Sequence, residues 1–216
     1  EWQATGWRLA AGLRSESVRV VSDGDAADAA EARFGSAQTR RFSPRSGSLA
    51  LTVGPAHGWQ GSVTLGHTER APAYYELFAN GLHVATGAFE VGDTTLGLER
   101  SRHAELGLAF TQGATSLRAA LFQTRFSRCL SLDASGQDVD TDEGPVPEYV
   151  FRGVRARLTG FELEGRTRVP LSAGLAVELS GTLDRVTGDN LDAGEPLPRL
   201  APLRARVAAE LRGAGW

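Results

Sequence analysis

Apolar and polar side chains alternate at period two along most of this chain, the mark of strands with two chemically different faces. In "WQGSVTLG", Trp59, Val63 and Leu65 are apolar while Gln60, Ser62 and Thr64 are polar. In "LAVELSGTLD", Leu175, Val177, Leu179 and Leu183 alternate with Glu178, Ser180, Thr182 and Asp184. "LAPLRARVAAEL" sets Leu203, Ala205, Val207, Ala209 and Leu211 against Arg204, Arg206 and Glu210, and "AELGLAF" sets Leu106, Leu108 and Phe110 against Glu105. The pattern predicts strands near 6–18, 46–54, 59–70, 98–111, 115–128, 149–169, 173–186 and 200–212. Within 149–169 the apolar parity switches from Val154, Ala156 and Leu158 to Phe161, Leu163 and Val169. A β-bulge near Thr159-Gly160 is expected to restore one apolar face, and one face of Arg155, Arg157, Glu162, Glu164, Arg166 and Arg168.

Short connections ("GPAHG", "TQGA", "VPLSAG") alternate with long ones near 19–45, 71–97, 129–148 and 187–199. All the short ones fall at one end of an up-and-down meander and all the long ones at the other, as in an outer-membrane barrel. A soluble antiparallel sandwich also alternates, but it explains the loop asymmetry less well. The reading is all-β: an antiparallel up-and-down transmembrane β-barrel, with its Arg, Glu, Ser and Thr faces lining a wet lumen. The connection 71–97 holds Tyr74, Tyr75, Leu77, Phe78, Leu82, Val84, Phe89, Val91 and Leu96. That is more apolar mass than a solvated linker carries, so an ordered, functional loop is expected.

Composition leaves this picture open and closes others. Hydrophobic residues make up 41% of the 216, and no apolar run approaches the ~18 residues of a membrane helix. A helical membrane protein is excluded, whereas a barrel is not. Met is absent and nothing near Glu1 resembles a signal peptide, so the start is expected to be a processed end or a cut inside a longer protein. All 23 basic residues are arginine and the net charge is -3, with no basic block that predicts nucleic-acid binding. Cys129 is the single cysteine, which predicts an unpaired buried thiol and no intrachain disulfide.

No G-x-S-x-G and no phosphate-cradling glycine motif occurs, so no enzyme is expected. A protease or lipase barrel is the most distant alternative. Three long connections are acidic: Asp23, Asp25, Asp28 and Glu31; then Asp133, Asp138, Asp140, Asp142, Glu143 and Glu148; then Asp189, Asp192 and Glu195. Such charge at one mouth would concentrate cations, although ordinary solvated loops are acidic too. "DASGQDVDTDEG" does not have EF-hand spacing.

Specific text narrows the class. "RAP", then "ELF", a small-residue loop, "LERS" and "ELGL" resemble the signature of TonB-dependent outer-membrane receptors. An R-x-P turn there closes one strand, and an E-x-S…E-x-G stretch opens the next. The matching positions are Arg70 and Pro72, then Glu99, Ser101, Glu105 and Gly107. "GFELEG", with Gly160, Glu162 and Glu164, and "LPRLAPLR" (197–204) fit the same family. "NGLHVATGAFEVG" (80–92) is most similar to its zinc-uptake branch. The resemblance implies about eight strands of a larger barrel of about 22 strands, so that 1–216 is a partial barrel domain lacking the plug and the final strands. Gly213 and Gly215 break the alternation, and Trp216 does not look like the aromatic end of a last strand. A self-closed barrel of about eight strands is the rival.

The resemblance also implies a transported ligand rather than a required cofactor: zinc first, heme second, another metal chelate after that. Implied partners are outer-membrane lipid and the TonB energising complex, reached through the missing plug. His83 lies between the two motif boxes with Glu76, Glu90 and Asp93 nearby, and imidazole and carboxylates are proper Zn²⁺ ligands. In heme receptors of this superfamily a histidine so placed would be an axial iron ligand. Alternatively His83 only hydrogen-bonds within its loop. Arg155, Arg157, Arg166, Glu178, Arg204 and Arg206 are expected to line the lumen, as are Glu105 and His103, with His67 at the outer rim. A passive barrel or surface-binding protein is the rival of a different class.

Overall fold

The structure is a computed structural model that describes residues 1–29, 33–141 and 144–213. In chain order it contains β1 (Trp2–Ala4), β2 (Trp7–Ser15), β3 (Val18–Ser22), β4 (Gln38–Phe42), β5 (Arg45–Ala56) and β6 (Trp59–Arg70). A short helix α1 (Tyr74–Phe78) and two strands, β7 (Asn80–His83) and β8 (Ala88–Val91), follow. Then come β9 (Glu99–Gln112), β10 (Thr115–Thr141), β11 (Gly144–Ser172), β12 (Leu175–Asn190), β13 (Glu195–Pro196) and β14 (Arg204–Gly213). β2, β5, β6, β9, β10, β11, β12 and β14 pair antiparallel in that order and form one open meander within a 12-stranded sheet. Every strand expected from alternation is present.

The two faces of this sheet are exposed in the opposite sense to a water-soluble protein. Along β9 the polar positions Ser101, His103 and Glu105 are half-buried while Leu106 and Leu108 are 59% and 48% exposed. Register carries the exposed face across the sheet as a row: Leu51, Val63, Leu106, Leu121 and Phe161 are successive Cα partners. A leucine left in water forgoes roughly 1.5–3 kcal/mol of burial. A whole exposed row of them therefore requires an apolar medium against that face.

No bulge lies at Thr159-Gly160, where β11 pairs without interruption to both neighbours. The irregularity is on β10 instead, at Ser127-Arg128. The parity switch in β11 has a different cause. Phe161, Leu163 and Val169 share one face with Arg155 and Arg157, and Glu162, Glu164, Arg166 and Arg168 share the other with Val154, Ala156 and Leu158. Strand geometry stays constant while the surroundings change along it. Within the apolar band the outer face is hydrophobic. Beyond it, Arg155 and Arg157 pair with Asp192 and Asp189, while on the inner face Val154 and Ala156 are buried and Leu158 gathers with Leu197 and Leu200 around Gly188.

Those loops are more structured than expected. The stretch 129–148 is no open loop, because β10 and β11 continue as a paired ribbon to Thr141↔Gly144. Within 71–97, β7 and β8 form a hairpin, and β8 adds parallel to β11 through Phe89↔Glu148 and Val91↔Val150. β3 and β4 form a separate two-stranded sheet. One apolar core joins the three: Val20 and Phe42 from the β3–β4 sheet, Leu77 and Leu96 from the 71–97 loop, and Phe151 from the ribbon, flanked by Leu130 and Leu132. The main buried cluster thus lies outside the apolar band, in a cap at the long-loop end.

Candidate functional site

Arg70, the last residue of β6, ties the loop to the barrel wall. Its Nη1 and Nη2 donate to Oε2 and Oε1 of Glu76 at 2.8 and 3.0 Å. Its Nε and Nη2 donate to Oε1 and Oε2 of Glu99 at 3.0 and 3.2 Å. The two carboxylates, Glu76 foremost, hold the guanidinium proton more firmly than usual. Glu76 also accepts from the Ala73 amide at 2.6 Å, half of a capping box at the start of α1. Glu99 reaches across to the Leu130 amide at 2.9 Å. Pro72 is fully buried and sets the turn. The R-x-P and E-x-S boxes are thereby two ends of one ion-paired joint.

Two of the four expected metal ligands come together. His83, at the end of β7, places Nδ1 3.0 Å from Oε1 of Glu90 on β8 and 2.9 Å from the Thr86 hydroxyl. The imidazole is about half exposed, with its side chain at 53%. The other two lie elsewhere. Glu76 is 5% exposed and engaged by Arg70. Asp93 accepts from the Thr95 amide and hydroxyl at 2.7 and 2.6 Å, which closes the turn into Leu96. Among the described residues no group of three or more His, Cys, Asp or Glu is assembled to hold a metal.

The acidic connections are partly committed as well. Asp25 accepts backbone N–H groups from Arg33, Phe34 and Gly35. These bonds, Phe34's first, keep its carboxyl below the usual carboxylate range. Asp192 accepts from the Arg155 amide and side chain at 2.6 Å each, and Asp189 from Arg157 at 2.7 Å. Glu31, Asp142, Glu143 and Trp216 lie outside the described residues.

On the half-buried polar face, Arg166 pairs with Glu178, which also lies 3.5 Å from Arg212. Arg204 contacts Asp184 at 2.8 Å, and Arg206 is two residues further along the same face. A groove of about 620 Å³ there is lined by Arg8, Arg118, Glu162, Glu164, Asp184 and Arg204. Arg155 and Arg157 are not on this face. The missing bulge puts them on the opposite side, correcting the expectation that they line the lumen. His103 donates or accepts at Thr124 Oγ1 (2.9 Å), with Nε2 3.6 Å from Glu105. Two motif glycines are explained by crowding on the same face. A Cβ on Gly107 would strike the Ser62 hydroxyl, and one on Gly160 the Phe122 ring. Sequence reasoning missed the contribution of residues 18–22 and 38–42, whose Arg40 donates to the Leu96 carbonyl at 3.3 Å. "VRVV" was the available signal.

An open antiparallel meander with an apolar exposed face and a charged sheltered face defines the wall of an outer-membrane-type barrel. The TonB dependent receptor-like, beta-barrel family matches residues 1–216, and the chain belongs to that family. Its members are receptors rather than enzymes and are found in bacterial outer membranes. Among solved structures the chain resembles the copper transporter OprC, with TM-score 0.72 and 22% identity over 95% of this chain and 29% of that one. It also resembles a double mutant of the Serratia marcescens hemophore receptor HasR in complex with its hemophore HasA and heme. There the TM-score is 0.52 and the identity 18%, over 96% of this chain and 37% of the other. Both likenesses are of fold. The chain spans roughly a third of the length of these relatives.

Proposed function

We propose that this chain forms wall and cap of an outer-membrane receptor that captures a metal cargo, zinc first, and passes it through a plugged barrel energised by TonB. The observation that carries the metal reading is the His83–Glu90 pair. A carboxylate on Nδ1 fixes the tautomer and ring orientation and leaves the Nε2 lone pair for a metal. Glu90 then orients the imidazole rather than binding the ion itself. The remaining ligands would come from other loops or from the cargo, which suits a site that must release what it binds.

The same geometry supports a second reading, in which Nε2 of His83 is an axial ligand to heme iron or to another chelated metal. Both readings depend on a half-exposed imidazole at the long-loop mouth. Calorimetric titration of the full-length receptor in detergent separates them, with wild type beside His83→Ala and Glu90→Gln. Saturable Zn²⁺ binding that weakens at least about tenfold in His83→Ala, and less in Glu90→Gln, supports zinc capture. Hemin binding with the same mutational pattern, and none for Zn²⁺, moves the cargo to heme. Neither ligand bound, or binding that ignores His83, rejects this site.

A further inference from the structure

Above the apolar band the outward face carries three neighbouring arginines, Arg102, Arg125 and Arg157, between His67 and Asp189. The Cα partners Gly47, His67, Arg102, Arg125, Arg157 and Asp189 run side by side across six strands. Like charges directly opposite each other on neighbouring strands repel unless something neutralises them. The flanking arginines are neutralised: Arg100 by Glu69 at 2.9 Å, Arg155 by Asp192 and Arg157 by Asp189. The central pair is not. Among the described residues, Arg125 donates only to the neutral Gln123 oxygen, at 2.8 Å, and Arg102 has no carboxylate partner.

We propose that Arg102 and Arg125 seat the headgroup phosphate of an anionic membrane lipid whose acyl chains lie down the band below. This rests on the outer-membrane reading of the apolar face. Guanidinium forks bind phosphate oxygens bidentately, and two adjacent forks can share one phosphate or hold two. A groove of about 1490 Å³ joins the arginines to Leu49 and Leu65. Beyond the intervening pair Ala104 and Gln123, Leu106 and Leu121 are partners and both are exposed. A free phosphate would satisfy the arginines and leave those leucines bare. A phospholipid or phosphorylated glycolipid covers both, and the surface charge is complementary only to an anionic one.

The test uses the full-length receptor in neutral detergent, as wild type, as Arg102→Gln/Arg125→Gln and as Arg102→Lys/Arg125→Lys. Each is first reconstituted into phosphatidylcholine vesicles and checked for protease-protected strands. Diphosphoryl lipid A is then titrated and retained lipid counted by native mass spectrometry, with phosphatidylcholine and inorganic phosphate as comparison ligands. Wild type should hold lipid A at least about tenfold more tightly than phosphatidylcholine, and the glutamine variant should lose about that factor. The lysine variant, which keeps charge without the fork, should fall between, and it carries the test if the glutamine variant does not insert. Equal retention by wild type and the inserted variants overturns the proposal, as does displacement of the lipid by inorganic phosphate. Failure of wild type to insert overturns the membrane reading itself, and the lipid seat with it; insertion without lipid A retention overturns the seat alone.

Discussion

Cys129 shows how an isolated side chain is set by its neighbours. It is half-buried beside the Arg70 joint, and burial, followed by the Glu99 charge, pushes its thiol up to about 11. Only the thiolate is nucleophilic, so about one molecule in a thousand is reactive at pH 8. Iodoacetamide should therefore label Cys129 at least about tenfold more slowly than a free thiol at that pH, as followed by intact mass. Labelling at the free-thiol rate would contradict the burial. Residue chemistry was legible in the sequence where partners sit across a tight hairpin, as His83 and Glu90 do. It was not legible for Glu76, whose carboxylate looks available until the chain brings Arg70 and Ala73 around it. Nor was it legible for Arg155 and Arg157, whose side of the strand depends on whether a bulge intervenes.

Among the elements, the loop between β6 and β9 depends on the Arg70 joint. Arg70→Ala leaves a 5% exposed carboxylate without its cation. Breaking a fully buried pair costs about 3–5 kcal/mol, and the 41% exposure of the Arg70 side chain lowers the expectation to about 2 kcal/mol. The amides of Gly92 and Asp93, which bond the carbonyls of Ala79 and Glu76, should lose roughly thirtyfold hydrogen-exchange protection. Adding Glu76→Gln should restore part of it, and unchanged protection would show that the apolar cluster alone holds the loop. The loop's own strands escaped sequence reading for a physical reason. β7 and β8 are four residues each, too short to show a period, and they are stable because β8 extends an existing sheet edge. The ribbon at 129–148 was hidden by its aspartates, which are poor strand formers alone yet tolerated where backbone pairing continues from a long hairpin.

At the scale of the molecule, two solvents define one sheet. Leu108→Arg, on the exposed apolar face, should destabilise the barrel by about 2–4 kcal/mol. Ala109→Arg, one residue along on the charged face, should cost far less. Urea unfolding of the full-length receptor in lipid vesicles measures both, and equal effects would reject the assignment of faces. This double surface is why alternation revealed all eight wall strands. It is also why the parity switch in β11 misled: a sequence shows which face is apolar, but not the depth at which inside and outside exchange character.

The cap core carries a consequence for anything that recognises this end of the barrel. Phe42, Leu77 and Phe151 meet there from three segments separated by tens of residues, so the surface above them is composed only once the wall strands are in register. An antibody raised against that surface would read a discontinuous epitope. It should bind the folded receptor, ignore the heat-denatured chain on a blot, and resist competition by any single loop peptide.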